Sequence, residues 1–229
     1  MSVPSMSMMH LAESINFSGR KVLAASCSVP FPLLSSSLLP DALLPHLGSA
    51  PWHSVSACAD DGTIFSQSVV LRGIPKERQS CRLLPGTRER SSLHACGSGD
   101  EVLQRYLSAL YPRTVSFSHL LQTPSSLGPT FPQFFSPYVT KDGFSGEEPR
   151  PLAAVVDGVP VMAALQASSA LHQSLRSLCD QVTQQDIRRW VNVEASGVEE
   201  EDFKESVSEL RRLADCYRTR NDETDDDSD

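Results

Sequence analysis

The chain has 229 residues, 40% of them hydrophobic, and a formal net charge of −8. That is apolar material for one sizeable core, although sixteen prolines cut its elements short. The acidic balance argues against a general nucleic-acid binder, and without a run of about 18 apolar residues any membrane association is expected to be peripheral or through a partner.

The opening "MSVPSMSMMHLAES" has no basic charge ahead of an apolar core and is not Arg-rich. It reads as neither a secretory signal nor a mitochondrial presequence. Ser7–Asn16 is predicted as a short helix, capped by Ser7, with Met8, Leu11, Ala12 and Ile15 on one face and Gly19 as its stop. "KVLAAS" (Lys21–Ser26) reads as a short strand. An irregular, Pro- and Ser-rich stretch is expected from there to about Gly62.

"FSQSVVLRG" (Phe65–Gly73) has the apolar, β-branched centre of a strand buried on both faces. The basic segment after it holds Arg72, Lys76, Arg78, Arg82, Arg88 and Arg90 among turn residues. It predicts a surface loop, with docking of an acidic partner or of the chain's own acidic end as the functional alternative. "GSGDEVLQRYLSALYP" then reads as a helix with Leu103, Tyr106, Leu107 and Leu110 on one face and Pro112 past its end. Thr114–Leu121 is a further strand candidate.

Residues 123–151 form a long Pro-rich loop, with Phe131, Phe134 and Phe135 as the aromatics expected to pack it. "VPVMAALQ" (Val159–Gln166) is a third main strand. Ser168 or Ser169 caps the following helix, on which Leu171, Leu175, Leu178 and Val182 are in register. In the last helix Phe203, Val207, Leu210, Ala214 and Tyr217 recur at steps of three and four. Acids Glu199–Asp202 open that helix and Arg211, Arg212 and Arg218 lie toward its end, both favourable to its dipole. The two helices are expected to pack as an antiparallel pair on the body. Asn221–Asp229 carries six acids and no large apolar residue, which predicts a disordered acidic tail.

Chemistry is sparse. "GSGDE" (Gly97–Glu101) has the look of a phosphate loop, but Asp100 and Glu101 would oppose an anion, so a glycine turn is the expectation. "DGFSG" (Asp142–Gly146) is neither a nucleophile elbow nor a Walker loop and reads as an exposed turn. His94 and Cys96 are expected to be semi-buried residues before a helix, because adjacency alone supplies no base for a thiol. His172 and Asp180 lie roughly 12 Å apart along one helix, too far to pair. The histidines His10, His46, His53, His94, His119 and His172 show no metal-site spacing. Cys27, Cys58, Cys81, Cys96, Cys179 and Cys216 are scattered without C-x-x-C, as expected of reduced thiols in a cytosolic protein. No catalytic, cofactor-binding or metal residue is assigned.

The element order of the last seventy residues resembles the C-terminal part of the tubulin family: strand, long helix, Trp turn at Trp190, Gly-acidic turn at Gly197, final helix and acidic tail. Ten short segments in order, among them "MHLAESINFSGRKV", "FSQSVVLRGI", "LHACGSGDEVLQRYL", "SSALHQSL" and "ASGVEEED", resemble the C-terminal half of the misato family of tubulin-like proteins. The resemblance implies an α/β fold, a tubulin-like intermediate domain with a mixed sheet and flanking helices, plus C-terminal antiparallel helices. It divides the chain into an α/β region over 1–166, a helical pair over 167–220 and the tail over 221–229. It implies a fragment or short isoform, because the family's guanine-nucleotide domain would lie ahead of residue 1, and neither glycine loop here matches that domain's loop in position. A fragment of this kind would leave an apolar face exposed.

The expected function is therefore non-enzymatic, without a cofactor. It is a role in mitochondrial distribution, morphology and fusion through protein partners, cytoskeletal or of the mitochondrial outer membrane, in the cytoplasm and peripherally at that membrane. The alternatives are a GTP-binding tubulin/FtsZ-type GTPase or a cytoskeletal adaptor that binds tubulin or a motor.

Overall fold

The computed structural model describes residues 8–17, 19–47, 62–79, 91–151, 154–184 and 200–219. Its elements are α1 (Met8–Ser14), β1 (Ala24–Ser28), α2 (Leu39–Leu43), β2 (Ile64–Arg72), α3 (Gly99–Leu110), β3 (Val115–Leu121), β4 (Ser125–Ser126), β5 (Gly158–Val159), β6 (Val161–Ser168), α4 (Ala170–Gln184) and α5 (Glu200–Asp215).

Four strands form one mixed sheet in the order β1-β6-β2-β3. β6 runs antiparallel to β1 and β2, and β3 runs parallel to β2. The parallel β2–β3 step requires a crossover, which α3 supplies. The strand at Ile64–Arg72 is central, as its apolar middle predicts. The alternation of strand side chains divides the sheet into two unlike faces.

One face is closed. Val69, Leu71, Met162 and Ala164 lie under α2 and α3, whose Leu39, Leu43, Val102, Leu103, Tyr106 and Leu107 complete the main core. A polar row crosses this buried face. Ser26 Oγ donates to Gln166 Oε1 at 3.4 Å, Gln166 Nε2 to Gln67 Oε1 at 3.0 Å, and Gln67 Nε2 to the Ser116 hydroxyl at 2.9 Å. Gln67 and Gln166 are almost wholly buried, so each amide needs this partner.

Several boundaries depart from the sequence reading. β1 begins at Ala24, not Lys21. β6 begins at Val161 because Pro160 has no N–H to continue a ladder, and Gly158–Val159 pairs separately with Ser125–Ser126. The stretch expected to be irregular contains α2, started by Pro40 in its first turn. Residues 123–151 contain β4 and a braced loop. Gln133 accepts from Val156 N at 2.9 Å and donates to Val156 O at 3.2 Å, and Lys141 pairs with Asp157 at 3.1 Å.

α3 follows the expected glycine turn and opens on a cap that the sequence reading did not name. Ser98 Oγ accepts from Glu101 N at 3.3 Å, and the Glu101 carboxylate accepts from Gly97 N at 2.9 Å, so two orphan donors are satisfied. Ser168, not Ser169, accepts from the first N–H of α4, at 3.3 Å from Ala170 N. Ser169 instead uses its hydroxyl to accept from Thr63 N at 2.8 Å.

Candidate interaction surface

The C-terminal helices carry the strongest sequence signal, and the structure packs them together. Leu171 and Leu175 of α4 meet Ala214, Tyr217, Leu210 and Leu213 in a second core with Ala24, Ala167 and Phe65. His172 Nδ1 donates to the Ala214 carbonyl at 2.9 Å, and Arg211 donates to the Thr183 hydroxyl at 3.2 Å. The start of α4 thus meets the end of α5 and the end of α4 meets the earlier Arg211, the sense of an antiparallel pair. Arg176 adds an exposed pair with Asp215 at 3.6 Å.

The buried stripe of α4 is Leu171, Leu175 and Cys179. Leu178, placed in register by the sequence, is 46% exposed. On an ideal helix Leu178 lies about 20° and Cys179 about 80° from Leu171, so spacing alone favours the leucine, yet the covered stripe drifts round the helix to the small thiol. On α5 the expected face holds: Phe203, Val207 and Leu210 are half-buried, and Ala214 and Tyr217 are buried.

A clasp that the sequence reading missed fixes the end of this pair. The Tyr217 hydroxyl accepts from Val22 N at 2.8 Å and donates to the Val22 carbonyl. Burial pushes its ionisation up from the usual phenol range. Arg20 Nε donates to the Cys216 carbonyl at 2.8 Å, while its guanidinium lies 3.8 Å from the Phe65 ring centroid. Because the partners lie nearly two hundred residues apart, no local pattern could announce the contact.

The outward side of α5 is rich in acids in its first half: Asp202, Glu205 and Glu209 recur at helical spacing and are exposed, as is Glu201. The exposed Arg211 and Arg212, and then Arg218, separate these acids in sequence from Asn221–Asp229, which lies outside the described residues, as do Ser7, Trp190 and Gly197. Two described bases of the basic segment are engaged, while Lys76 is exposed. Arg72 donates to the Thr123 and Pro124 carbonyls at 3.2 and 3.1 Å, and the Arg78 guanidinium sits 4.8 Å from the Phe144 ring centroid. Arg82, Arg88 and Arg90 lie outside the described residues.

Two expectations about the glycine loops and aromatics need correction. "DGFSG" is not an exposed turn: Gly143 has φ +84° and Phe144 is buried in the main core. A Cβ at Gly143 would come within 2.7 Å of the Gly158 carbonyl oxygen and of Val159 Cα, so this tight approach requires glycine. Phe144 is thus the aromatic that anchors the long loop. Phe131, Phe134 and Phe135 stack on one another at 5.5–6.0 Å, and Phe134 is 73% exposed.

His94 is buried, and the structure gives it partners that adjacency to Cys96 did not suggest. Its Nε2 donates to Asp41 Oδ1 at 3.0 Å, leaving Nδ1 to accept from the Ser91 hydroxyl at 2.7 Å. Ser91, His94 and Asp41 are the residue types of a hydrolytic triad, yet the order around the ring differs: serine is on Nδ1, within its own turn, and the carboxylate is on Nε2. The set ties α2 to the turn ahead of α3. Cys96 is buried beside it, and burial pushes its thiol up, away from the thiolate form. Cys27, Cys96, Cys179 and Cys216 are free. Among the described residues no cluster of three or more His, Cys, Asp or Glu could hold a metal, and no helix is long and apolar enough to cross a membrane.

No family model matches the chain. Among curated proteins it is similar to Protein misato homolog 1 of Mus musculus, 45% identical over 214 residues that cover 92% of this chain and 38% of that protein. It is similar to Protein misato homolog 1 of Homo sapiens, 43% identical over 218 residues, 93% of this chain and 37% of that one. Protein misato of Drosophila melanogaster is 28% identical over 217 residues, 92% of this chain and 38% of its own length. The chain spans little more than a third of the length of these relatives.

Proposed function

Because the chain belongs to the misato family over the stretch it shares with those proteins, we propose that it works without catalysis in the distribution, morphology and fusion of mitochondria. It does so through protein contacts, from the cytoplasm and peripherally at the outer mitochondrial membrane. The observation that carries the reading is the pairing of a mixed sheet with two C-terminal helices, in a chain 45% identical to a misato protein. The acidic side of α5 and Asn221–Asp229 form the docking element for a basic partner.

The test is to express the chain in cells depleted of their own misato protein, then to fractionate them and score the mitochondrial network. Recovery of the chain with outer membranes, together with a shift in network shape, is the expected result. A wholly soluble chain that leaves the network unchanged would overturn the reading. In a pull-down, deletion of 221–229 should reduce partner capture at low salt, with the difference shrinking as salt screens the charges.

A further inference from the structure

Three phenylalanines of the long loop face water together. The rings of Phe131, Phe134 and Phe135 stack on one another, and Phe134 stands 73% exposed. Tyr138, three positions on, and Val155, next to the residue that Gln133 holds, are exposed too. The packing of the loop does not need these rings, because its inward anchor is Phe144, buried in the main core. The tip is nevertheless held in shape. Phe131 N donates to the Gly128 carbonyl at 2.9 Å, the Gln133 amide makes both its bonds to Val156, and Pro129, Pro132 and Pro137 each fix a backbone angle. From Thr123 to Thr140 the chain carries no acid, base or histidine.

We propose that this aromatic tip inserts into a lipid surface of neutral headgroups. Three features favour lipid over a protein pocket. Hot spots that bind proteins combine rings with polar or Arg groups that fix register. Here the amide that sits among the rings in sequence is spent on Val156, which leaves the rings alone at the tip. An uncharged stretch enters the boundary between headgroups and acyl chains with no ion to dehydrate. Rings on a prestructured loop also lose little conformational freedom on insertion. Tyr138 has the apolar body and polar tip that suit the same boundary. The flanking residues 141–157 carry four acids against two bases, so anionic lipid is not the attraction. The contact rests on the peripheral-membrane reading above and assigns it to named residues.

The test floats the purified 229-residue chain with phosphatidylcholine vesicles, with and without an added anionic lipid. The expected result is flotation with phosphatidylcholine alone, undiminished by salt. Phe134→Ser should lower partitioning about ten-fold, whereas Met9→Ser, at a comparably bare site on α1, leaves it unchanged. Against the common background of Trp52 and Trp190, the Phe134→Trp variant should lose more fluorescence to acyl-chain bromolipid than the Met9→Trp variant. That reading keeps a ring at the tip, so it does not depend on how the serine variant folds. No flotation, flotation that needs anionic lipid and is lost in salt, or equal effects at positions 134 and 9 would each overturn the proposal. A homo-oligomer that Phe134→Ser dissolves, with vesicles left unbound, would overturn it too, giving the rings to a second copy. Binding to intact outer membranes that prior proteolysis of those membranes abolishes, with bare vesicles inert, would overturn it in favour of a protein receptor. The peripheral-membrane reading itself would survive that last result.

Discussion

Tyr217 satisfies both backbone groups of Val22 with one oxygen, and so ties the last helix to the chain ahead of β1. Tyr217→Phe keeps the ring and removes only that oxygen, leaving two half-buried backbone groups without their partner. The variant should lose about 1–3 kcal/mol in denaturant titration. Ser68 presents the reverse case. Its hydroxyl is buried in the centre of β2 without a hydrogen-bond partner, so Ser68→Ala removes a desolvated polar atom. It should leave stability unchanged or raise it by up to about 1 kcal/mol. At this scale the sequence was informative about types and silent about pairings. His94 was expected to be semi-buried and is buried, but Asp41, fifty-three positions away, could not be named as its partner. The loop aromatics show the same limit. Counting rings favours the Phe131–Phe135 cluster, whereas the backbone freedom of Gly143 is what turns Phe144 inward.

At the scale of elements, periodicity was a good guide wherever one face had to be buried. α3 is a helix where the sequence placed one, with Leu103, Tyr106 and Leu107 on its buried face; the Ser98 cap and the burial of Val102 were not anticipated. In α4 helical register placed Leu178 in the stripe, one position short of the buried Cys179. A pair of substitutions measures that difference. Leu175→Ala, at a buried site in the second core, should cost about 2–4 kcal/mol, while Leu178→Ala should cost under about 1 kcal/mol in the same thermal or denaturant assay. The strand limits were less legible. A proline at position 160 passes unnoticed in an apolar run, yet its missing donor splits that run between two sheets. α2 escaped notice because its five residues are too few to display a period.

At the scale of the whole molecule, stability should respond to acid in a defined direction. Burial holds the ionisation of His46 below the ordinary imidazole value. It does the same for His119, with the carboxylate of Asp100 partly opposing the shift. The unfolded chain therefore binds protons at these sites more readily than the folded one as pH falls below about 6.5. The folded state is at no disadvantage above that pH. It loses stability as pH drops from there toward the lowered folded values. Denaturant titrations between about pH 7 and pH 5 should show this loss, and a His46→Asn, His119→Asn double variant should flatten the slope. The assembly of the fold as a whole was readable from the order of its elements. The unequal coverage of the two sheet faces was not, since alternating apolar residues look alike whether or not a second layer exists above them.

The amide row through the main core has a consequence for how these proteins change over evolutionary time. Gln67 and Gln166 stand opposite each other on neighbouring strands, and each completes the other's hydrogen bonding inside an otherwise oily layer. Replacing one alone strands the other, whereas exchanging both for apolar residues of similar shape removes the burden altogether. The two positions are therefore expected to mutate as a couple. A relative that has abandoned glutamine at one of them should have abandoned it at the other, and misato sequences as divergent as that of the fly are where such joint exchanges would be found.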